Sequence, residues 1–169
     1  MRLLCIDPGL SGGIAVLLIE GGRREVLHAC DIPTRPDGSN RQVDVVAVCT
    51  LIEKFNPDGA VIENVGAMPS IPGPDGERRS MGAASSFRFG FAVGQIRAVC
   101  ECYGLDPKLI VPRVWKNHFG LKGSQKGQSR DTARRLCPSA LPFLTLKMHH
   151  GRAEAILMGL YVADKRGML

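Results

Sequence analysis

Four residues of this 169-residue chain have types and positions suited to joint chemistry: Asp7, Glu63, His150 and Glu154. Asp7 closes the apolar run Leu3-Leu4-Cys5-Ile6 and is followed at once by Pro8 and Gly9. A carboxylate placed there leaves a strand in a tight turn, with its oxygens turned toward a site instead of the core. Glu63 repeats the arrangement at the end of Gly59-Ala60-Val61-Ile62. Two such carboxylates on neighbouring strands, about 4 to 6 Å apart, repel, and one retains its proton unless a cation fills the gap. A hard divalent ion resolves the conflict, and Mg²⁺ characteristically takes one or two carboxylates plus substrate phosphate oxygens. His150 and Glu154 are four apart at the start of the last apolar stretch, which puts both on one helix face. Ala153 and Ala155 flank Glu154 and let that helix end lie close to a sheet. Each residue also has a plain structural reading: turn aspartate, solvated strand end, helix entry, exposed helix charge. The joint reading rests on a sheet edge that collects all four.

The elements needed to position them are legible. Residues 2–7, 13–20 and 25–32 read as three strands, with Gly21-Gly22 as a hairpin turn, which predicts an antiparallel meander. Residues 32–40, rich in Pro, Gly, Asp and Ser, read as loop. Val43, Val46, Leu51, Ile52 and Phe55 recur at helical spacing and stop at Asn56-Pro57. A fourth strand follows over 59–64. Residues 65–82 form a long Pro- and Gly-rich loop, a length usually reserved for function or disorder. A helix is expected over 83–103, where Gly90, Gly94 and Ala98 at four-residue intervals admit a close neighbour. Leu109-Ile110-Val111 is a fifth strand, Val114-Trp115-Lys116 begins a short helix, and 120–127 is a flexible basic loop. Helices over 129–137 and 151–165 complete the chain. Strands alternating with helices after a meander give an α/β domain with a mixed sheet, read as one domain over 1–169.

Composition bounds the partner. Hydrophobic residues are 44% and charged residues 22% of the chain, ordinary for a globular protein. No apolar run approaches the roughly 18 residues of a membrane span. The N-terminus does not read as a signal peptide either, so a cytoplasmic protein without a membrane partner is expected. The six cysteines lack paired spacing and read as small buried hydrophobes, and the single-residue gap of Cys100-Glu101-Cys102 is not the usual zinc spacing. A net charge of +6 favours a polyanionic partner, and the basic residues crowd the middle and later chain.

Taken together, Ile6-Asp7-Pro8-Gly9-Leu10-Ser11-Gly12-Gly13, Val61-Ile62-Glu63-Asn64-Val65 with Ala67-Met68-Pro69, Phe89-Gly90 with Gly94, Val111-Pro112 with Trp115-Lys116, and Gly151-Arg152-Ala153-Glu154-Ala155 resemble the RuvC-like Holliday junction resolvases. The likeness is to the shorter viral and bacterial branch and runs in order over nearly the whole chain. It implies an RNase H-like fold: a mixed five-stranded sheet, three antiparallel then two parallel strands, flanked by helices. It also implies a homodimer and Mg²⁺-dependent hydrolysis of DNA phosphodiesters at four-way junctions. Asp7 matches the first-strand catalytic aspartate and Glu63 the fourth-strand glutamate. His150 and Glu154 fall where the family places two more ligands, and either His149 or His150 supplies the imidazole. An aspartate is common at both positions, and the neutral imidazole weakens Mg²⁺ and favours Mn²⁺.

Two ions about 3.5 to 4 Å apart would then hold the scissile phosphate. Asp7 would bridge them, with Glu63 on one and His150 and Glu154 on the other. Lys126 is the candidate to stabilise phosphate charge in the transition state, with Lys116 and Lys122 next. Arg130 follows Lys126 on the same basic stretch. Met68, in the loop after Glu63, is placed to wedge between bases, and Arg78 and Arg79 to hold phosphates. Gly9, Gly12 and Gly13 are read as room for a DNA backbone beside the metals. Phe87, Phe89 and Phe91 cannot share one helix face, and they mark an irregular helix start, core or a dimer contact. Three alternatives stand beside this reading. They are a nuclease of the same fold acting on forks, flaps or structured RNA, a junction-binding module with a decayed site, and an actin-like phosphotransferase, for which the chain is too short.

Overall fold

The computed structural model describes residues 1–64, 71–72, 78–79, 82–121, 123 and 127–165, with 71–72 and 78–79 as strand backbone. The predicted meander is present as β1 (Arg2–Asp7), β2 (Gly13–Glu20) and β3 (Arg23–Asp31), paired antiparallel. After α1 (Val45–Phe55) come β6 (Gly59–Glu63) and, later, β9 (Lys108–Ile110), and both pair parallel. The sheet order is β3-β2-β1-β6-β9, so the strands carrying Asp7 and Glu63 are central neighbours. The mixed five-stranded α/β fold expected of the sequence is the fold observed.

Each central strand is buried on both faces, and alternation sorts its side chains between two cores. Leu3, Cys5, Ala15, Leu17 and Val61 pack under α5 (His150–Asp164), together with α3 (Pro112–His118) and α4 (Gln128–Leu136). Leu4, Ile6, Ile14, Val16, Ala60 and Ile62 pack under α1 and α2 (Ala83–Cys102). Helix α5 lies so close that a Cβ at Gly159 would stand 2.7 Å from the Cys5 sulfur.

Local chemistry sets the element ends. Asp44 caps α1 by accepting the Ala47 N–H at 3.1 Å, and Asn56 ends it in the left-handed region before Pro57. Pro112 opens α3 at a position where no N–H is needed. The segment read as a Pro-rich loop is instead a hairpin, β4 (Thr34–Asp37) and β5 (Asn40–Val43). Its two-residue turn, Gly38-Ser39, has Gly38 at φ 57°. This is the glycine-first hairpin signal, and Pro36 is tolerated because the ribbon has only two strands. Within the long loop after β6, β7 (Ile71–Pro72) and β8 (Arg78–Arg79) form a second short ribbon. A 3₁₀ turn over Pro138–Phe143 links α4 to α5. Among the described residues no helix is long and apolar enough to cross a membrane.

Candidate active site

Strand alternation brings the carboxylates together. Asp7 has the parity of Leu3 and Cys5, and Glu63 that of Val61, so both point to the α5 side of the sheet. The parallel register pairs Ile6 with Ile62, and one step further Asp7 stands beside Glu63. Glu154, one turn into α5, completes the group.

The electrostatics report this proximity. Burial, then the negative charges of Glu63 and Glu154, push the Asp7 carboxyl up to about 7, against Lys116 and an N–H donated by Gly9. Glu63 is 6% exposed, and burial raises its pKa while Lys116 and a Trp115 hydrogen bond oppose the rise. Helix α3 supplies both opposing groups from adjacent residues. The Trp115 indole N–H donates to Glu63 Oε1 at 3.0 Å, and Lys116 Nζ lies 3.0 Å from Glu154 Oε2. Lys116 also stands 5.0 Å from the Trp115 ring centre, a cation–π contact that steadies it. From α4, the buried Ser129 hydroxyl donates to Glu154 Oε1 at 3.2 Å. Lys116 therefore pairs with Glu154, and its charge also bears on Asp7 and Glu63.

The turn after Asp7 is locked against α5 by glycine. A Cβ on Gly12 would overlap the Asp7 carbonyl oxygen. One on Gly13 would lie 2.5 Å from Arg152 N, and one on Gly151 would lie 2.5 Å from the Gly12 carbonyl carbon. Those glycines let two stretches of backbone touch. The room they were expected to leave for DNA is filled at Gly12 by the turn's own Asp7 and Gly9 carbonyls and at Gly13 by the start of α5. Arg152 fastens the same helix end from outside, through Nε to Asp31 Oδ1 at 2.7 Å and Nη2 to Asp31 Oδ2 at 2.9 Å.

His150 is the first residue of α5 and is among the groups near Asp31 that lower the Asp31 carboxyl. His149 is 5% exposed, and its Nδ1 accepts the Leu146 N–H at 3.3 Å. Burial and Arg152 hold its pKa low, as befits a neutral imidazole in a structural bond. Lys116 lies inside the carboxylate group, and Arg130 reaches Asp131 at 3.0 Å. Met68, Lys122, Lys126 and the side chains of Arg78 and Arg79 lie outside the described residues. Trp115 as a support of Glu63 and Ser129 as a support of Glu154 were not foreseen. The single tryptophan beside a lysine was a signal available for the first, whereas Ser129 in a polar run offered none.

Among the described residues no group of three or more His, Cys, Asp or Glu could hold a metal ion as the side chains stand. The donor set nevertheless suits a hard divalent cation. It consists of carboxylate oxygens in a site where burial and then mutual repulsion drive Asp7 toward neutrality, and a cation relieves the repulsion.

No family model and no curated protein matches the sequence. Solved structures do. Thermus thermophilus RuvC in complex with Holliday junction substrate superposes with a TM-score of 0.66 at 15% identity, over 98% of this chain and 97% of that one. Thermus thermophilus RuvC gives 0.64 at 16% identity, over the same shares of 98% and 97%. The fowlpox virus Holliday junction resolvase gives 0.57 at 10%, over 98% and 99%. The chain thus has the RNase H-like fold of the RuvC-type resolvases, from first strand to last helix.

Proposed function

We propose that this protein is a divalent-metal-dependent endonuclease that resolves four-way DNA junctions. The observation that carries the reading is the convergence of Asp7, Glu63 and Glu154, from three separate elements, within reach of the Lys116 charge in a resolvase fold. Asp7, Glu63 and Glu154 would hold two Mg²⁺ or Mn²⁺ ions, with His150, one turn before Glu154, as a fourth ligand. Bound there, such ions supply an activated water nucleophile and stabilise the leaving oxygen. The chain's own groups do the remaining work. Asp7, whose carboxyl burial and its neighbours push up to about 7, would ionise beside a bound cation. The Trp115 N–H fixes the orientation of Glu63. Lys116 brings a positive charge into the site where negative charge develops on the phosphate. Lys122, Lys126, Arg130, Arg78, Arg79 and Met68 are the candidates for gripping the DNA arms.

Paired cutting needs two sites, and α2 offers a surface for a second copy. Phe87 is 74% and Phe91 51% exposed, with rings stacked at 6.4 Å. Phe89 turns away toward Gly9. A Cβ on Gly90 or Gly94 would have nothing within 4 Å, so no described element of this chain uses that close approach. An exposed apolar face lined by small residues fits a homodimer contact.

The ion pair of Lys116 with Glu154 favours one competing reading, a junction-binding module in which lysine permanently neutralises the carboxylates. A cleavage panel of four-way junctions, forks, flaps, linear duplexes and structured RNA, in Mg²⁺ and in Mn²⁺, separates the possibilities. The resolvase reading requires symmetrical cuts confined to the four-way junction. Preference for a fork, flap or RNA would replace it with another nuclease of this fold, and junction binding without cutting would leave the binding module.

A further inference from the structure

We propose that the cleft between the β4–β5 hairpin and the start of α2 is a second phosphate site, which takes a backbone phosphate of the DNA strand beside the one being cut. It rests on the endonuclease reading for its substrate, but the residues are separate from the carboxylate group. The cleft is a cavity of about 260 Å³ lined by Leu10, Asn40, Arg41, Ser85, Arg88 and Phe89. It adjoins the catalytic turn: Leu10 lies three residues beyond Asp7, and the Phe89 ring comes within 3.9 Å of a Cβ placed on Gly9.

Both guanidinium groups are held by neutral partners. Arg41 donates to Thr34 Oγ1 through Nε at 3.0 Å and Nη2 at 2.5 Å. Arg88 donates through Nε to the Ala84 carbonyl at 3.3 Å and through Nη1 to Asn40 Oδ1. Arg23, Arg24, Arg97, Arg130 and Arg152 each rest on a carboxylate, and Arg2 and Arg134 reach single backbone carbonyls, but Arg41 and Arg88 are the two guanidinium groups that line this cleft together. Among the described residues neither Arg41 nor Arg88 has a carboxylate partner. Two oriented forks without an anionic partner, beside a serine hydroxyl and an asparagine amide in a concave site, match the donor pattern that a phosphate requires. Leu10 and Phe89 add an apolar wall against which a deoxyribose packs. Arg41, Ser85 and Arg88 are exposed, so a continuous strand can pass through.

Register supplies a control. Arg35 pairs with Gln42, one residue out of step with Arg41, and so projects from the opposite face of the hairpin. The test is fluorescence anisotropy of a labelled four-way junction with the 169-residue chain in EDTA, across a range of salt, for R41Q, R88Q, the double variant, R41K/R88K and R35Q. Several-fold weaker binding is expected for each Gln variant, with a salt slope shallower by about one for each phosphate that is no longer neutralised. The lysine pair should restore the slope, which also excludes misfolding, and R35Q should match the wild type. A wild-type slope in the double variant, or equal losses in R35Q, would overturn the site. Cleavage by the wild type in Mg²⁺ tests the nuclease reading separately: its absence removes that reading, while the phosphate site is still decided by the binding contrast.

Discussion

Asp7 shows how one residue carries both cost and capacity. Its carboxyl is pushed up to about 7 from an ordinary 3.8, so the folded protein holds that proton more tightly than the unfolded chain does. The associated stability is fully present below pH 3.8 and is lost as pH rises through about 7. Asp7→Asn cannot ionise and escapes that loss. In EDTA it should therefore unfold later than wild type at pH 8, by up to roughly 4 kcal/mol, with the advantage gone near pH 4. Urea denaturation at the two pH values measures this. The same proton competes with metal, so wild-type cleavage should fall as pH drops below about 7. Trp115→Phe keeps an aromatic ring, though a smaller one, and leaves Glu63 without its donor. A loss of about 1 to 3 kcal/mol is expected in thermal unfolding, and the cleavage profile should move to higher pH because the N–H had been lowering the Glu63 pKa. At this scale Asp7 and Glu63 were legible because each closes an apolar strand with the right parity. Their supports were not, because Trp115 and Ser129 reach the carboxylates through packing of helices that sequence spacing does not reveal.

At the scale of elements, the site depends on how closely the β1–β2 turn crosses the start of α5. Gly13 and Gly151 meet across that crossing with no room for a methyl group. Gly151→Ala should cost about 1 to 3 kcal/mol, the usual range for overpacking, and should also separate Asp7 from Glu154. Its cleavage should consequently drop even at temperatures where circular dichroism shows the protein folded. The sequence pattern exposes glycines near the aspartate but not their partner, since the contact joins residues far apart in the chain. The β4–β5 hairpin was hidden for a different reason. Its prolines argue for loop, and only the Gly38-Ser39 pair betrays a two-residue turn.

For the whole molecule, the sheet order puts the two central strand ends, the last helix and the tryptophan–lysine pair of α3 on one side of the fold. The exposed rings of α2 belong to its other layer. In the proposed dimer, that separation would leave the carboxylates uncovered. Phe87→Ser with Phe91→Ser should yield monomers in analytical ultracentrifugation and replace paired cuts by single nicks. The fold class was readable because three glycine-punctuated strands followed by strand–helix alternation admit few arrangements. The exposed rings of α2 were less so, since three phenylalanines at alternating positions do not reveal which two face outward.

The most direct measurement is single-turnover cleavage of a four-way junction by wild type, Asp7→Asn, Glu63→Gln and Glu154→Gln, each in Mg²⁺ and in EDTA. Symmetrical cutting by the wild type in Mg²⁺ alone is expected, with rates lowered at least a hundredfold, on the order of 3 kcal/mol, in every carboxylate variant. Full cleavage in EDTA, or in a variant lacking Asp7 or Glu63, would contradict the carboxylate site.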